Sequence, residues 1–326
     1  MDDHALWIDP ADTDHLLIGG DGGIYETWDR GQNWEFKPNL PVTQFYRVNV
    51  DEERPFYNVY GGTQDNNSMG APSRTISSQG IVNSDWFVTQ FGDGFWTAAD
   101  PTNPDIVYAE AQYGNMVRYD RKSAESIDIR PEPRPGELSY RWNWDTPLFV
   151  SPHAPARIYC AANKVFRSDD RGDSWTVISD DLTAQIDRSA VPVMGKYWSV
   201  DAVAWNVSTS QLGTIVSLAE SHKRENLLYA GTDDGLIQVS EDAKTWRRID
   251  AFPGVPTNTY VSDVMPSLFD ENVVFAAFNN LKRDDFKPYL LKSVDKGRTW
   301  TSIAGDQPAN ASVQVIPQDH VNPHLL

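Results

Sequence analysis

Apolar residues in this chain fall in short runs separated by Gly, Pro, Asn and Asp, with no long stretch at helical spacing. That is the patterning of strands and turns. One turn recurs. TWDRGQNW at 27–34 returns as SDDRGDSW at 168–175 and as SVDKGRTW at 293–300, and SEDAKTW at 240–246 is a shortened copy without the glycine step. A strand-like run (GIYE, KVFR, LIQV, YLLK) precedes each copy, and a short run opening on Trp (WEF, WTVI, WRRI, WTSI) follows it. The unit reads as a hairpin whose turn is Ser/Thr-x-Asp-x-Gly-x-Ser/Thr-Trp. In such a turn the Asp carboxylate accepts backbone N–H groups, the Gly supplies a positive φ, and the Trp packs under the loop. Asp29, Asp170, Asp242 and Asp295 are therefore expected to be structural caps of the turn and not catalytic groups.

This hairpin resembles the Asp-box (BNR) repeat of β-propellers. The repeat is longer than the turn itself. An apolar strand ending near Asp-Pro, two further strands, the turn and a fourth strand make one unit, recurring about every 47 residues, within the range of four-stranded blades. Blade 1 reads HALWIDP, HLLIGG, GIYETW, NWEFK; blade 2 opens FYRVNVD, YNVYGG and continues as a polar loop from Asn66 to Trp86. Blade 3, with a plain turn in place of the Asp-box, is GFWTAADP, DIVYAEA, NMVRYD, SIDIRP, and blade 4 is TPLFVSP, RIYCAA, KVFRSD, SWTVIS. Blades 5 and 6 open at TIVSLAES and YVSDVMPS, and the final SVQVIPQD reads as the first strand of a seventh. The expected fold is all-β, a β-propeller of four-stranded antiparallel blades, six complete and a seventh begun. Blades 1–4 occupy residues 1–182, and residues 183–212 form an insertion or linker. The remaining blades occupy 213–326. Stopping inside a blade leaves an open strand edge, which folded proteins avoid. The sequence is thus expected to be a piece of a longer protein whose remaining blades are its partners.

Composition narrows the chemistry. A formal charge of −18 over 326 residues, without a basic run, argues against a nucleic-acid partner. Cys160, the one cysteine, lies in the apolar run RIYCAA and is expected to be a buried strand residue, which leaves no internal disulfide. No apolar run is long enough to span a bilayer. Metal-ligand spacings, the serine-hydrolase elbow and the phosphate-binding loop are all missing, so no metal and no cofactor are expected.

Propeller strands alternate in direction. The loops joining second to third strands therefore share a face with the loops between blades, opposite the Asp-box turns. That face carries Asp21, Gln64, Asp65, Asn66, Gln112, Tyr113, Asn115, Asn163, Asp233, Asp234, Asn279 and Asn280. Turn chemistry alone explains many Asn, Asp and Gly residues there, but the run TQDNNS at 63–68 is longer than a turn requires. The loops between blades add Asp93, Trp142, Asn143, Asp145, Trp198 and the stretch TNTY at 257–260. Aromatic rings beside amides and carboxylates suit sugars: the rings stack on pyranose C–H faces and the polar groups bond the hydroxyls. Hydrolysis of a glycoside needs two carboxyl groups flanking the bond, and Asp65, Asp93 and Asp145 are the candidates. Gln64, Asn66, Tyr113, Trp142, Asn143, Asn163, Trp198, Asp233 and Asp234 are candidate ligand contacts.

Taken together, the segments ALWIDP, GGDGGIYETWDRG, YGGTQDN, RWNWDTP, FRSDDRGDSW, YAGTDDGLIQV and FKPYLLKSVDKGRTW are similar to the large bacterial BNR-repeat proteins described as glycosyl hydrolase or sortilin-like. That resemblance implies a larger exported parent, with one wide propeller or two, acting on or binding carbohydrate. A sortilin-like, non-enzymatic propeller that binds peptide or protein is the alternative. The arginine triad of sialidases is not found, and sortilin-type receptors add a Cys-rich domain, whereas this sequence holds one cysteine.

Overall fold

The computed structural model describes residues 2–40, 43–192, 195–202 and 211–326. These residues form six four-stranded antiparallel sheets, each with its strands paired in chain order. The sheets span residues 3–36, 47–90, 94–128, 148–177, 215–249 and 260–302. Among the described residues there is no α-helix, only four short 3-10 turns. In blade 2 the expected polar loop from Asn66 to Trp86 instead contains the third strand, Ser68–Pro72. Its small residues let Gly70 lie against the Tyr60 and Phe87 rings, a position where a Cβ would come within 2.6 Å of Tyr60.

The middle strands are buried on both faces, which is why they read as unbroken apolar runs. Within Ile158–Ala161, Ile158 and Cys160 join Tyr108 and Met116 of blade 3, while Tyr159 and Ala161 join Ile215 and Leu228 of blade 5. Successive side chains point to opposite faces of a strand, so blades 4 and 5 each donate half of two cores. Leu227, Tyr229 and Ile237 of blade 5 likewise meet Val264, Ala276 and Phe278 of blade 6. Burying side chains of this size contributes roughly 1.5–3 kcal/mol each.

The repeated turns share one hydrogen-bond scheme. Asp170 Oδ1 accepts from Ser174 N at 2.9 Å and from Ser168 Oγ, and Ser168 Oγ accepts from Gly172 N at 2.8 Å. Asp29 with Thr27 and Asn33, and Asp295 with Ser293 and Thr299, repeat it. Two consecutive residues take positive φ, Arg171 at 62° and Gly172 at 91° in blade 4. The shortened copy keeps one such residue, Ala243 at 55°, and Asp242 accepts from Lys244 N and Thr245 N. The Trp reaches further than its own loop. Trp175 Nε1 donates to Ile129 O of blade 3 at 2.7 Å, and Trp246 Nε1 to Ile178 O of blade 4 at 2.9 Å.

The segment expected to begin a seventh blade runs alongside blade 6 without strand pairing. Ile316 is buried against Phe275 and Ala277, and Ile316 N donates to Asp263 Oδ2 at 2.8 Å. At the other end blade 1 stands open: Leu6, Trp7, Ile8, Trp34 and Phe36 are exposed.

Two predictions follow from the turns and their tryptophans. Trp175→Ala and Trp246→Ala should each cost about 3 kcal/mol in chemical denaturation, and Trp34→Ala less than about 1 kcal/mol, because no neighbouring blade covers it. Hydrogen bonding, chiefly from Ser174, holds the Asp170 carboxyl down to about 2, against about 3.9 in an unfolded chain. Its contribution is complete above that unfolded value and disappears as pH falls through the folded one. The melting-temperature gap between the protein and Asp170→Ala should therefore be widest near neutrality and close in strong acid.

Candidate functional site

Loops from five blades converge on one cavity of about 680 Å³. Tyr46 and Gln64 come from blade 2, Phe95 from blade 3, and Asn143, Trp144 and Asp145 from the loop that enters blade 4. Asp233 of blade 5 and Tyr260, Asn279 and Asn280 of blade 6 add to the lining, as do Arg188, Val191, Gln211 and Leu212 between the sheets of blades 4 and 5. Lys196 Nζ lies 4.3 Å from the Trp198 ring in the same stretch, and Trp198 does not line the cavity.

Asp145 Oδ2 accepts from both Arg47 Nε and Nη2, at 3.1 and 2.8 Å, a pair that links blades 2 and 4 across blade 3. The guanidinium also lies 4.6 Å from the centre of the Trp96 ring. Burial pushes the Asp145 carboxyl up, and Arg47 pulls it back. Asp145 remains 22% exposed, enough to face a ligand. A hydrogen-bonded chain joins it to a second carboxyl. Asp145 N donates to Asn143 Oδ1, Asn143 Nδ2 to Thr214 Oγ1 at 2.7 Å, and Thr214 Oγ1 to Asp233 Oδ2 at 2.8 Å. Asp233 Oδ1 also accepts from Gly213 N and Thr214 N. Burial pushes the Asp233 carboxyl up to about 7 against these donors, with Asp234 adding to the rise.

Aromatic rings line the opposite wall. Tyr46 stacks on Phe95 with centroids 4.7 Å apart, Phe95 meets Trp144 edge-on, and Trp144 meets Tyr113 edge-on at 5.0 Å. The Tyr46 hydroxyl donates to Gln64 Oε1.

Asp65 and Asp93 lie in a neighbouring cleft with Asp21. Asp65 N donates to Asp93 Oδ1 at 2.7 Å, and Asn66 Nδ2 to Asp21 O at 2.9 Å, joining blade 2 to blade 1. Partial burial and the neighbouring Asp21 and Asp93 carboxylates raise the Asp65 carboxyl. The structure therefore brings two of the three acid candidates together and leaves Asp145 in the larger cavity. Tyr46 stands between the two groups, and burial together with Asp93, Asp65 and Asp145 raises its phenol.

Several sequence candidates turn inward. Asn163 Nδ2 donates to Asp181 Oδ2, and Asn163 Oδ1 accepts from Arg141 N. Asp234 accepts from Thr232 Oγ1 and from Ala184 N, which ties the insertion to blade 5. Trp142 stacks on Phe166 at 5.6 Å and packs against Gly114. Sequence reasoning missed Tyr46, Arg47, Phe95 and Glu110. Glu110 is fully buried, accepts from Gly114 N and Thr146 N, and burial pushes its carboxyl well up. A lone Glu inside the apolar run DIVYAEA was the available signal. Among the described residues no group of three or more His, Cys, Asp or Glu is arranged to hold a metal ion. No helix among them is long and apolar enough to cross a membrane.

Six sheets in chain order around one cavity have counterparts among solved structures. The extracellular domain of the putative one-component system BT4673 from B. thetaiotaomicron matches 95% of this chain and 34% of its own, at 16% identity and a TM-score of 0.51. The Cps50 (Swd1) β-propeller domain of Myceliophteria thermophila matches 91% of this chain and 84% of its own, at 11% identity and a TM-score of 0.52. The chain is a β-propeller. In sequence it is 22% identical over 262 residues to xyloglucanase Xgh74A of Acetivibrio thermocellus, covering 71% of this chain. It spans 28% of that relative's length. No protein-family model matches.

The propeller's Asp233 supplies a direct test of the cavity's electrostatics. Its folded value near 7 lies above the unfolded value of about 3.9, so the native state holds the proton between the two. The stability this group adds is complete below the lower value and disappears as pH rises to the upper one. Relative to Asp233→Asn, the protein should lose stability across that window. Carbon NMR of the Asp233 carboxyl should show its titration near neutrality, and an ordinary acidic midpoint would refute the assignment.

Proposed function

We propose that this chain is the carbohydrate-handling part of a propeller protein that works outside the cytoplasm, with the sugar held in the cavity shared by blades 2–6. The observation that carries this is the cavity lining, in which Tyr46 and Trp144 stand beside Gln64 and Asn279. Rings of this kind cover the C–H face of a pyranose, while amides give and accept the paired hydrogen bonds that sugar hydroxyls need. Asp145, fixed by Arg47, serves as an acceptor for a hydroxyl, and Asp233 gives or takes a proton near neutral pH. A neutral ligand also suits a chain of charge −18, which repels anions. The similarity to a xyloglucanase makes soluble xyloglucan the first ligand to try.

Binding is better supported than hydrolysis. Asp65 and Asp93 share a small cleft apart from the cavity, and Asp145 is engaged by Arg47. If turnover occurs, Asp145 and Asp233 are the carboxyls proposed to carry it. A different cleft favours a second function, peptide binding: Phe36, Pro38, Leu40 and Met69 give the gap between blades 1 and 2 an apolar wall.

Titration calorimetry with xyloglucan and a panel of neutral polysaccharides decides between them. Tyr46→Ala and Gln64→Ala should each weaken glycan binding about tenfold, the loss of one stacking or bonding partner. A folded protein that binds no glycan but takes up an apolar peptide, and loses it on Leu40→Asp, would replace the sugar with the peptide.

A further inference from the structure

A buried carboxyl stands behind the cavity lining and has no part in the sugar reading. Glu110 lies near the end of the second strand of blade 3, Asn103–Ala111, between the buried Ala109 and Ala111. Its Oε1 accepts from Gly114 N at 3.3 Å and from Thr146 N at 3.4 Å, while Oε2 has no hydrogen-bond partner among the described residues. The backbone N–H of Trp96 adds a weaker pull on the same carboxyl. Burying a charged carboxylate without a cation is costly, and burial, helped by the Asp145 charge, pushes this group well up. Near neutral pH it is the uncharged acid.

Each of these amides belongs to the residue just after a group of the site. Gly114 follows Tyr113, Thr146 follows Asp145, and Trp96 follows Phe95. Phe95 and Asp145 line the cavity, and Tyr113 meets the lining residue Trp144 edge-on at 5.0 Å. Three separate stretches of blades 3 and 4 thus turn toward one carboxyl. The Tyr113 turn needs such a hold. Tyr113 and Gly114 are both left-handed, with φ of 62° and 69°, and a bulky side chain keeps a positive φ only where its surroundings impose it. The Trp142 ring closes on the same turn, since a Cβ on Gly114 would come within 2.5 Å of it. Asp145 is held twice over: Arg47 orients its carboxyl, and the Thr146 bond fixes the backbone that carries it.

We infer that Glu110 is the positioning residue of this cavity. From inside blade 3 it fixes the turn at 112–114 and the loop at 143–146, and through them it sets the Tyr113–Trp144 ring pair and Asp145 in the arrangement that meets a sugar. It works as an uncharged acceptor of amide protons and not as a charge. The inference rests on the sugar reading for its ligand, whereas the hold on the two loops is measurable without one.

The test compares two variants. Glu110→Gln keeps the accepting oxygen and replaces the acid O–H by an amide N–H; Glu110→Met fills similar space and accepts from neither amide. Without ligand, hydrogen exchange at the Gly114 and Thr146 amides should quicken about tenfold in Glu110→Met and stay unchanged in Glu110→Gln. The Gly172 amide, held by Ser168 in an Asp turn, is the control. In protein labelled with fluorotryptophan, the Trp144 resonance, assigned with Trp144→Phe, should move in Glu110→Met alone. With soluble xyloglucan, Glu110→Met should bind about tenfold more weakly, and Glu110→Gln should bind as the unaltered protein does. Unchanged affinity in Glu110→Met, or unchanged amides and Trp144 resonance beside a lowered melting temperature, would reduce Glu110 to a packing group and overturn the inference. Equal losses in both variants would assign the effect to a charge and overturn it as well. An unaltered protein that takes up no glycan would sink the sugar reading alone, and the exchange and fluorine measurements would still decide whether Glu110 holds the loops. Where Glu110→Met does not fold, Glu110→Asp, one methylene shorter, makes the same comparison.

Discussion

The sheets of this chain are apolar on both faces, so a blade hides its side chains only between two neighbours. Tyr159 and Cys160 are adjacent in sequence but belong to different cores, one shared with blade 5 and one with blade 3. Stability is therefore held in the interfaces more than in the sheets. The Trp of each Asp turn lies where a hairpin and an interface meet. In blades 4 and 5 the indole N–H of Trp175 or Trp246 satisfies a carbonyl that the preceding blade leaves open, while the carboxylate beside it satisfies the turn's own amides. One short sequence thus closes a local loop and joins it to its neighbour.

The cavity is lined by Gln64, Asn143, Asp145 and Asp233, away from the Asp turns. It is stiff. Asn143 and Thr214 connect the loops that bear Asp145 and Asp233, and Arg47 anchors Asp145 from another blade. Polar groups held in this way are positioned before a ligand arrives, which reduces the ordering cost of binding.

The repeat made the fold legible. Four turns in register reveal the hairpins, and the runs between them reveal the strands. The failures have local causes. Blade 2 lacks an Asp turn, and its third strand, SMGAP, is built from small residues, so its strand pattern is faint beside the polar sequence around it. The final segment is held to blade 6 by side-chain bonds and by Ile316, not by a strand ladder. Strand alternation correctly grouped Gln64, Asn143, Asp145 and Asp233 on one face. It could not separate lining residues from internal ones, because Asn163 and Asp234 have the same residue types and loop positions as the groups that line the cavity. Arg47 and Phe95 escaped notice because they lie at the starts of strands, where a sequence reading expects packing and not a site.

The Arg47 to Asp145 pair joins residues 98 apart, whereas hairpin contacts join residues a few positions apart. Local pairs close cheaply and early; distant ones wait for the chain between them. As a nascent chain leaves the ribosome, blade 2 exposes its guanidinium well before blade 4 exists to neutralise it. Blade 3 must be made and seated in the interval. The ion pair that steadies the cavity is therefore also a late event in its assembly, and a chain stalled before Asp145 would carry an uncompensated positive charge at the centre of the forming arc.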